Sequence, residues 1–206
     1  MRRPEFIAKQ SRCPTGLLGW LIGCIMEAET TAENDATLER LDLRPTDRVL
    51  EVGFGPGRAL ERVAGMVTAG SVAGVELSEE MLGMAARRCE RFIREGRVEL
   101  RLGSAEKLPF ENAFFDKVYS VHTLYFWERP AEVVMELRRV LKPEGLLVLC
   151  FRPSGDAGSE DFPATVYRFY TDVEVTRLLR EGGFDEIAVN ESGTSRRLLI
   201  ATARTQ

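Results

Sequence analysis

The chain has 206 residues, of which 44% are hydrophobic and 29% charged, and its formal net charge is −4. A chain of this length and hydrophobic content can form one domain with a sizeable core. Acidic and basic residues are interspersed and leave no broad basic surface, which argues against nucleic acid as a partner.

The first 44 residues are helical in composition and are predicted to form a cap outside the main fold. Their most apolar piece, GLLGWLIGCIM at 16–26, covers 11 residues, whereas a transmembrane helix needs about 20. No small-residue cleavage site of a secretory signal follows it. We expect a buried or partner-facing helix and no transmembrane segment, with contact to a membrane surface as the alternative.

Four cysteines lie far apart in the sequence, at positions 13, 24, 89 and 150, and the chain has one histidine. No C-x-x-C pair is present, so no metal site is expected. Free thiols without a disulfide framework are typical of a reducing compartment, which predicts a cytoplasmic location.

From residue 45 to residue 206, strand-like and helix-like segments alternate. Strands are predicted at 48–53, 71–77, 97–103, 114–124, 146–151, 186–190 and 196–203. Helices are predicted around 60–67 and over 79–95, 130–141 and 171–184, and KPEG at 142–145 is predicted to be a turn. This alternation indicates an α/β fold with a doubly wound, mostly parallel sheet.

The first predicted strand leads into three glycines within five residues. Gly53, Gly55 and Gly57 form G-x-G-x-G, and a bare turn at this point of an α/β sheet lets a ligand approach the main chain. The dinucleotide fingerprint would have glycine or alanine at position 58, where this chain has Arg58. Glu51 would repel a phosphate here but attract an ammonium group. The loop therefore favours a ligand other than a dinucleotide, with an NAD(P)-dependent oxidoreductase as the alternative.

Two further features indicate an adenosine-containing ligand. Glu76 ends the second predicted strand, 19 residues after Gly57, where a carboxylate can accept hydrogen bonds from both hydroxyls of a ribose. The alternative for Glu76 is a solvated acid at the end of a strand. GSAEKLPF at 103–110 follows the third predicted strand and provides a mixed apolar and polar shelf for an adenine ring.

Five segments, in order, resemble the class I S-adenosylmethionine-dependent methyltransferases that act on small molecules. They are VLEVGFGPG, VAGVELSEEML, GSAEKLPFENAFFDKVYS, LRRVLKPEGLLVL and FYTDVEVTRLLREGGF, and the resemblance covers about 45–190. It implies a Rossmann-like seven-stranded sheet of order 3-2-1-4-5-7-6 with an antiparallel last strand and helices on both faces. It also implies S-adenosylmethionine as the cofactor and in-line transfer of its methyl group to a small-molecule acceptor.

The resemblance assigns roles in holding the methionine and ribose parts of this cofactor. Gly53, Gly55 and Gly57 would lie against the methionine part, and Glu51 would lie close to its amino group. Glu76 would accept hydrogen bonds from the ribose hydroxyls.

The adenine ring would be held by residues of the next two loops, which are Leu77, Met81, Ser104, Ala105 and Glu106. Similar proteins usually have aspartate where this chain has Ser104. Because a neutral hydroxyl is a weaker acceptor than a carboxylate, we expect weaker cofactor binding.

His122, after the fourth predicted strand, is the candidate catalytic residue. An imidazole titrates near neutral pH and could act as a general base, while the alternative is that His122 only shapes the pocket. Tyr125 and Trp127 are predicted to be pocket walls, with an aromatic cage for a cation as the alternative.

The acceptor is expected to contact the first 44 residues and the connection at 152–170. That connection carries aromatic side chains, which suit an apolar or flat acceptor or form a small local core: Phe162, Tyr167, Phe169 and Tyr170. A non-catalytic, ligand-binding protein of the same fold is a further alternative. The sequence leaves the acceptor and the oligomeric state open.

Overall fold

A computed structural model describes residues 3–156, 159–193 and 198–206 of the chain. The strands are β1 (Arg48–Val52), β2 (Ser71–Glu76), β3 (Val98–Leu102), β4 (Phe115–Val121), β5 (Leu141–Phe151), β6 (Asp185–Glu191) and β7 (Leu199–Arg204). The α-helices are α1 (Glu5–Arg12), α2 (Gly16–Glu29), α3 (Thr31–Leu41), α4 (Arg58–Met66), α5 (Glu79–Arg88), α6 (Glu90–Arg94), α7 (Pro130–Val140) and α8 (Asp172–Glu181).

The seven strands form one sheet in the order β3-β2-β1-β4-β5-β7-β6, which confirms the predicted topology. The first five strands pair in parallel, and β7 is antiparallel to both β5 and β6. Residues 196 and 197, predicted as the start of the last strand, lie outside the described residues. The strand order reverses between β1 and β4, the point at which sheets of this kind bind ligands.

The sheet is buried on both faces because its central strands carry apolar side chains on both sides. Val49 and Leu50 of β1 belong to two different core clusters, since successive side chains of a strand point to opposite faces. Val134 and Leu137 of α7 cover the Leu50 face, and Leu60 of α4 covers the Val49 face.

Two local predictions were wrong. The helix predicted over 79–95 is interrupted at Cys89, which separates α5 from α6. KPEG is part of β5 rather than a free turn, because Leu141 and Leu146 both pair with β4 and the register shifts between them. The extra residues form a bulge, which accommodates a proline within a strand. Thr205 fixes this bulge by accepting the N–H of Gly145 at its side-chain oxygen (3.0 Å).

Residues 5–41 form three helices, α1–α3, which agrees with the helical composition of the N-terminal part. Leu41 of α3 is buried against the sheet. Lys117 of β4 donates to the carbonyl oxygens of Leu41 and Asp42 and lies 3.2 Å from the carboxylate of Asp47. A cation at the C-terminus of a helix is favourable, and this one joins α3 to the sheet.

Helix α2 is buried on one face only. A side chain at Gly23 would meet the Met81 side chain of α5, with Cβ 2.5 Å from the sulfur-bound methyl carbon. The outer face is apolar and exposed, and its large side chains are Leu17, Leu18, Trp20, Leu21 and Ile25. Within the described ranges, no helix is both long and apolar enough to cross a membrane. All four cysteines are free thiols, and the cytoplasmic location stays a prediction.

Candidate active site

A cavity of about 210 Å³ lies at the carboxyl ends of β1, β2 and β4, with α1–α3 on its other side. The fold brings together every predicted site residue except Gly57. Those that line the cavity are Glu51, Gly53, Gly55, Glu76, Leu77, Met81, Ser104, Ala105, Glu106 and His122.

The three glycines of the loop have different roles. All have left-handed backbones, with φ of +74° at Gly53, +51° at Gly55 and +81° at Gly57. A Cβ at Gly53 would clash with the Thr123 methyl group, and one at Gly57 would lie 2.6 Å from the Ala85 Cβ. At Gly55 nothing lies within 4 Å. Gly55 therefore exposes main chain to the cavity, whereas Gly57, predicted as a cofactor contact, allows α5 to approach the loop closely.

Glu51 is a buried carboxyl group at the end of β1. The Tyr119 hydroxyl on neighbouring β4 donates to its Oε2 at 2.7 Å. Burial raises the pKa of Glu51 to about 8, and nearby Glu76 also raises it. Within the described residues no basic side chain forms an ion pair with Glu51. The site therefore has a place for an added cation, which would stabilise the ionised carboxylate.

Glu76, at the end of β2, is held by three main-chain donors. Its Oε2 accepts from Gly55 N–H at 2.9 Å, and its Oε1 accepts from Leu77 and Ser78 N–H at 2.8 and 3.1 Å. Burial raises the pKa of Glu76, and these hydrogen bonds oppose that shift. A carboxylate has about four acceptor positions, so one is left for a ligand hydroxyl. A second ligand hydroxyl would have to displace the Gly55 N–H.

The loop after β3 forms the next part of the wall. Ser104 Oγ accepts from the main-chain N–H of Glu106 at 3.2 Å. The Glu106 carboxylate in turn accepts from the Arg129 guanidinium at 3.1 Å. Glu106 is thus partly neutralised. Met81 and Ser104 line the same cavity, and the role of this loop in holding adenine stays a prediction.

The N-terminal helices contribute a wall whose residues the sequence did not reveal. They are Ser11, Arg12, Gly23, Met26, Glu27, Thr30 and Asn34. Arg12 forms an ion pair with Glu128, and Glu27 accepts from the Arg88 guanidinium at 2.7 and 3.0 Å. These partners are 116 and 61 residues apart in the chain, so no local pattern could indicate them.

The loop after β4 supplies His122 on the opposite wall. Its backbone is left-handed, with φ of +60°, and its Nδ1 lies 2.9 Å from the Tyr125 hydroxyl oxygen. Trp127 lines the cavity as predicted, whereas Tyr125 is not among the lining residues and belongs to the core.

The described part of the aromatic connection after β5 does not line the cavity, although the connection at 152–170 was expected to contact the acceptor. Phe162, Tyr167 and Phe169 pack on one another and on Tyr125 and Phe126, with ring centroids 4.8–6.0 Å apart. These aromatic residues form the small local core that was the alternative. Residues 157 and 158 of the connection lie outside the described residues.

The arrangement suits a ligand that carries an ammonium group and a ribose. Glu51 and Glu76 supply buried carboxylates, and Gly55 supplies main chain that a ligand can approach. A pyrophosphate would have to bind beside two acids whose ionisation it would oppose, because like charges in a buried site repel strongly. No group of His, Cys, Asp and Glu side chains in the described ranges is arranged to hold a metal ion.

Comparisons with known proteins all identify methyltransferases as relatives of this chain. A family model described as a methyltransferase domain matches residues 50–149. YdaC of Bacillus subtilis strain 168, an uncharacterized methyltransferase, is 30% identical over 186 residues, which are 89% of this chain and 97% of YdaC. A 27-O-demethylrifamycin SV methyltransferase of Amycolatopsis mediterranei is 32% identical over 126 residues. That match spans 60% of this chain but only 45% of the relative.

A solved structure shares the fold. The SAM-dependent methyltransferase from Aquifex aeolicus superposes with a TM-score of 0.69 at 23% identity, over 84% of this chain and 90% of that one.

Proposed function

Because the chain belongs to the class I S-adenosylmethionine-dependent methyltransferases, we propose that it methylates a small-molecule acceptor bound between its N-terminal helices and the loop after β4. The observation that carries this proposal is the cavity, in which the candidate cofactor contacts and His122 are brought together with residues of α1–α3. A cavity of this kind accommodates a small ligand better than a polymer. The rifamycin methyltransferase, by its name, also acts on a small molecule.

The residues of the cavity fit S-adenosylmethionine, which supplies a methyl group activated by a sulfonium. Gly55 would allow the methionine part to approach the main chain of the loop, and the Glu51 carboxylate would pair with its ammonium group. Glu76 has an acceptor position left for a ribose hydroxyl, while Met81 and Ser104 flank the region proposed for adenine.

The protein's contribution to transfer is proposed to be alignment and exclusion of water. Positioning two reactants can supply roughly 7–11 kcal/mol of a barrier. Arg12 and Glu128 join the N-terminal wall to the loop after β4 through their ion pair. The two walls proposed for the acceptor region are therefore in contact, and His122 lies on the second of them.

The cofactor assignment is tested by thermal unfolding with two ligands. S-adenosylhomocysteine should raise the melting temperature and NADH should not, because the acids beside the glycine loop disfavour a pyrophosphate. Stabilisation by NADH alone would overturn the proposal. Glu76→Gln should no longer be stabilised by S-adenosylhomocysteine. Glu79→Gln, at an exposed position of α5, is the matched control and should keep this stabilisation.

The acceptor is tested by turnover. Purified protein is incubated with methyl-labelled S-adenosylmethionine and a panel of small phenols, amines and aromatic nitrogen compounds, and transfer is measured by mass spectrometry. Methylation of a panel member that depends on intact Glu76 supports the proposal. Cofactor binding without transfer to any small molecule, together with methylation of a protein or nucleic acid, would overturn it.

A further inference from the structure

The loop after β4 holds His122 in an unusual backbone conformation beside the cavity. Its φ of +60° is rare for a residue with a side chain, and its N–H donates to the Cys150 carbonyl oxygen at 2.9 Å. Strained backbone of this kind is found at functional sites, where the surrounding structure maintains it. The main chain at His122 is thus tied to β5, which fixes the point from which the side chain extends.

A buried hydroxyl determines where the proton of this ring lies. The Tyr125 oxygen accepts from the main-chain N–H of Arg152 at 2.5 Å and lies 2.9 Å from Nδ1 of His122. In the described part of the chain these are the two hydrogen-bond partners of Tyr125. A phenol has one proton to donate, and buried donors are rarely left without an acceptor. Since the Arg152 N–H is itself a donor, the hydroxyl proton must be directed at Nδ1.

An imidazole nitrogen that accepts a hydrogen bond carries no proton, and a neutral ring then has its proton on the other nitrogen. We propose that Tyr125 holds neutral His122 in the Nε2-protonated tautomer, so that the ring cannot act as a general base towards the methyl acceptor. The part of this inference that concerns the acceptor rests on the proposed function. Tyr125 is a positioning residue, and its hydroxyl stays protonated because burial raises its pKa above the usual range.

This tautomer restricts the class of acceptor. A neutral ring with a proton on Nε2 and a donor at Nδ1 has no position at which to take up a proton. The acceptor atom must then be a good nucleophile without giving a proton to His122. An aromatic nitrogen or an acidic phenol that has lost its proton to solvent meets this condition, whereas an aliphatic alcohol, which keeps its proton at neutral pH, does not.

The tautomer can be read directly because the chain has one histidine. The full chain, without a histidine tag, is labelled with 15N-histidine, and long-range 1H–15N correlations are recorded at about pH 8. We expect the protonated nitrogen to be Nε2 and the unprotonated one Nδ1. A proton on Nδ1 would overturn the proposal and restore the general base.

Tyr125→Phe tests whether the hydroxyl sets the tautomer. The change keeps the ring but removes the donor to Nδ1, so both nitrogen signals should move towards the average of two tautomers. Tyr167→Phe is the matched control, since Tyr167 packs in the same aromatic cluster and its hydroxyl has no hydrogen bond within the described residues. Unchanged signals in folded Tyr125→Phe would show that another group fixes the ring.

S-adenosylhomocysteine binding is measured on the same samples. Loss of the expected tautomer with normal binding would refute this inference alone. The expected tautomer without any binding would refute the proposed function alone.

Discussion

Replacement of Gly55 by alanine tests whether this glycine is needed for cofactor binding or only for the packing of the loop. The left-handed backbone at Gly55 makes any side chain unfavourable by roughly 1–2 kcal/mol. No protein atom lies within 4 Å of the added Cβ, so this backbone cost should be the whole loss of stability without cofactor. For a chain of this size we expect a melting temperature about 2–8 °C lower.

The added methyl group would occupy space that the methionine part of the cofactor needs. Overpacking by such a group costs about 1–3 kcal/mol, which corresponds to a loss of affinity of roughly 5- to 150-fold. Gly96→Ala is the matched control, because Gly96 has a similar φ of +69° and open surroundings but lies away from the cavity. It should share the loss of stability and bind cofactor normally. Gly57→Ala should lose more stability than either, since its Cβ would clash with Ala85.

The assay combines thermal unfolding without ligand and calorimetric titration with S-adenosylhomocysteine for the three variants. Cofactor affinity within twofold of the original in folded Gly55→Ala would refute the reasoning, because the loop would then be structural only. An equal loss of affinity in Gly96→Ala would refute it as well, since the effect would follow from strain at a distance.

Three further predictions concern the acids and Ser104. Burial raises the pKa of Glu51 to about 8 from an ordinary 4.5, so between pH 4.5 and about 8 the folded protein without cofactor keeps a proton that the unfolded chain loses. The free energy of unfolding should therefore fall as pH rises through this range. Glu51→Gln should remove most of that fall in melting temperature against pH. Glu76→Gln should weaken S-adenosylhomocysteine binding about 10- to 150-fold in calorimetry, whereas Glu79→Gln should leave it unchanged. Ser104→Asp should strengthen the same binding by roughly 5- to 30-fold, because a carboxylate accepts from an adenine amino group better than a hydroxyl does.

Each of these predictions has a contrary result. An identical pH dependence in Glu51→Gln would mean that this carboxyl group is ionised when buried. Full affinity in Glu76→Gln would place the ribose elsewhere, and unchanged or weaker binding in Ser104→Asp would place the adenine amino group away from this loop.

The sheet order was predicted from the resemblance to a known family, whereas the positions of the residues that follow the strands depend on local signals. The glycine loop, Glu76 and Ser104 each follow directly after a strand, and the ends of parallel strands meet at one edge of a sheet. Their approximate positions could therefore be predicted once the strands were found.

Other features depend on contacts that no local pattern encodes. Gly57 resembles Gly55 in sequence, and only the approach of α5 distinguishes a packing glycine from an exposed one. The aromatic residues after β5 could not be assigned to lid or core without knowing that Tyr125 and Phe126 lie beneath them. Arg12 gained its partner Glu128 only through folding.

At Gly23, helix α2 of the cap packs directly on Met81 of α5, a residue proposed to contact the adenine ring. Any larger residue at Gly23 would push Met81 and, through it, the platform proposed for adenine. Mutations that adapt the cap to a new substrate would therefore also change the affinity for the cofactor. The sequence of α2 would thus be constrained by cofactor binding through Met81.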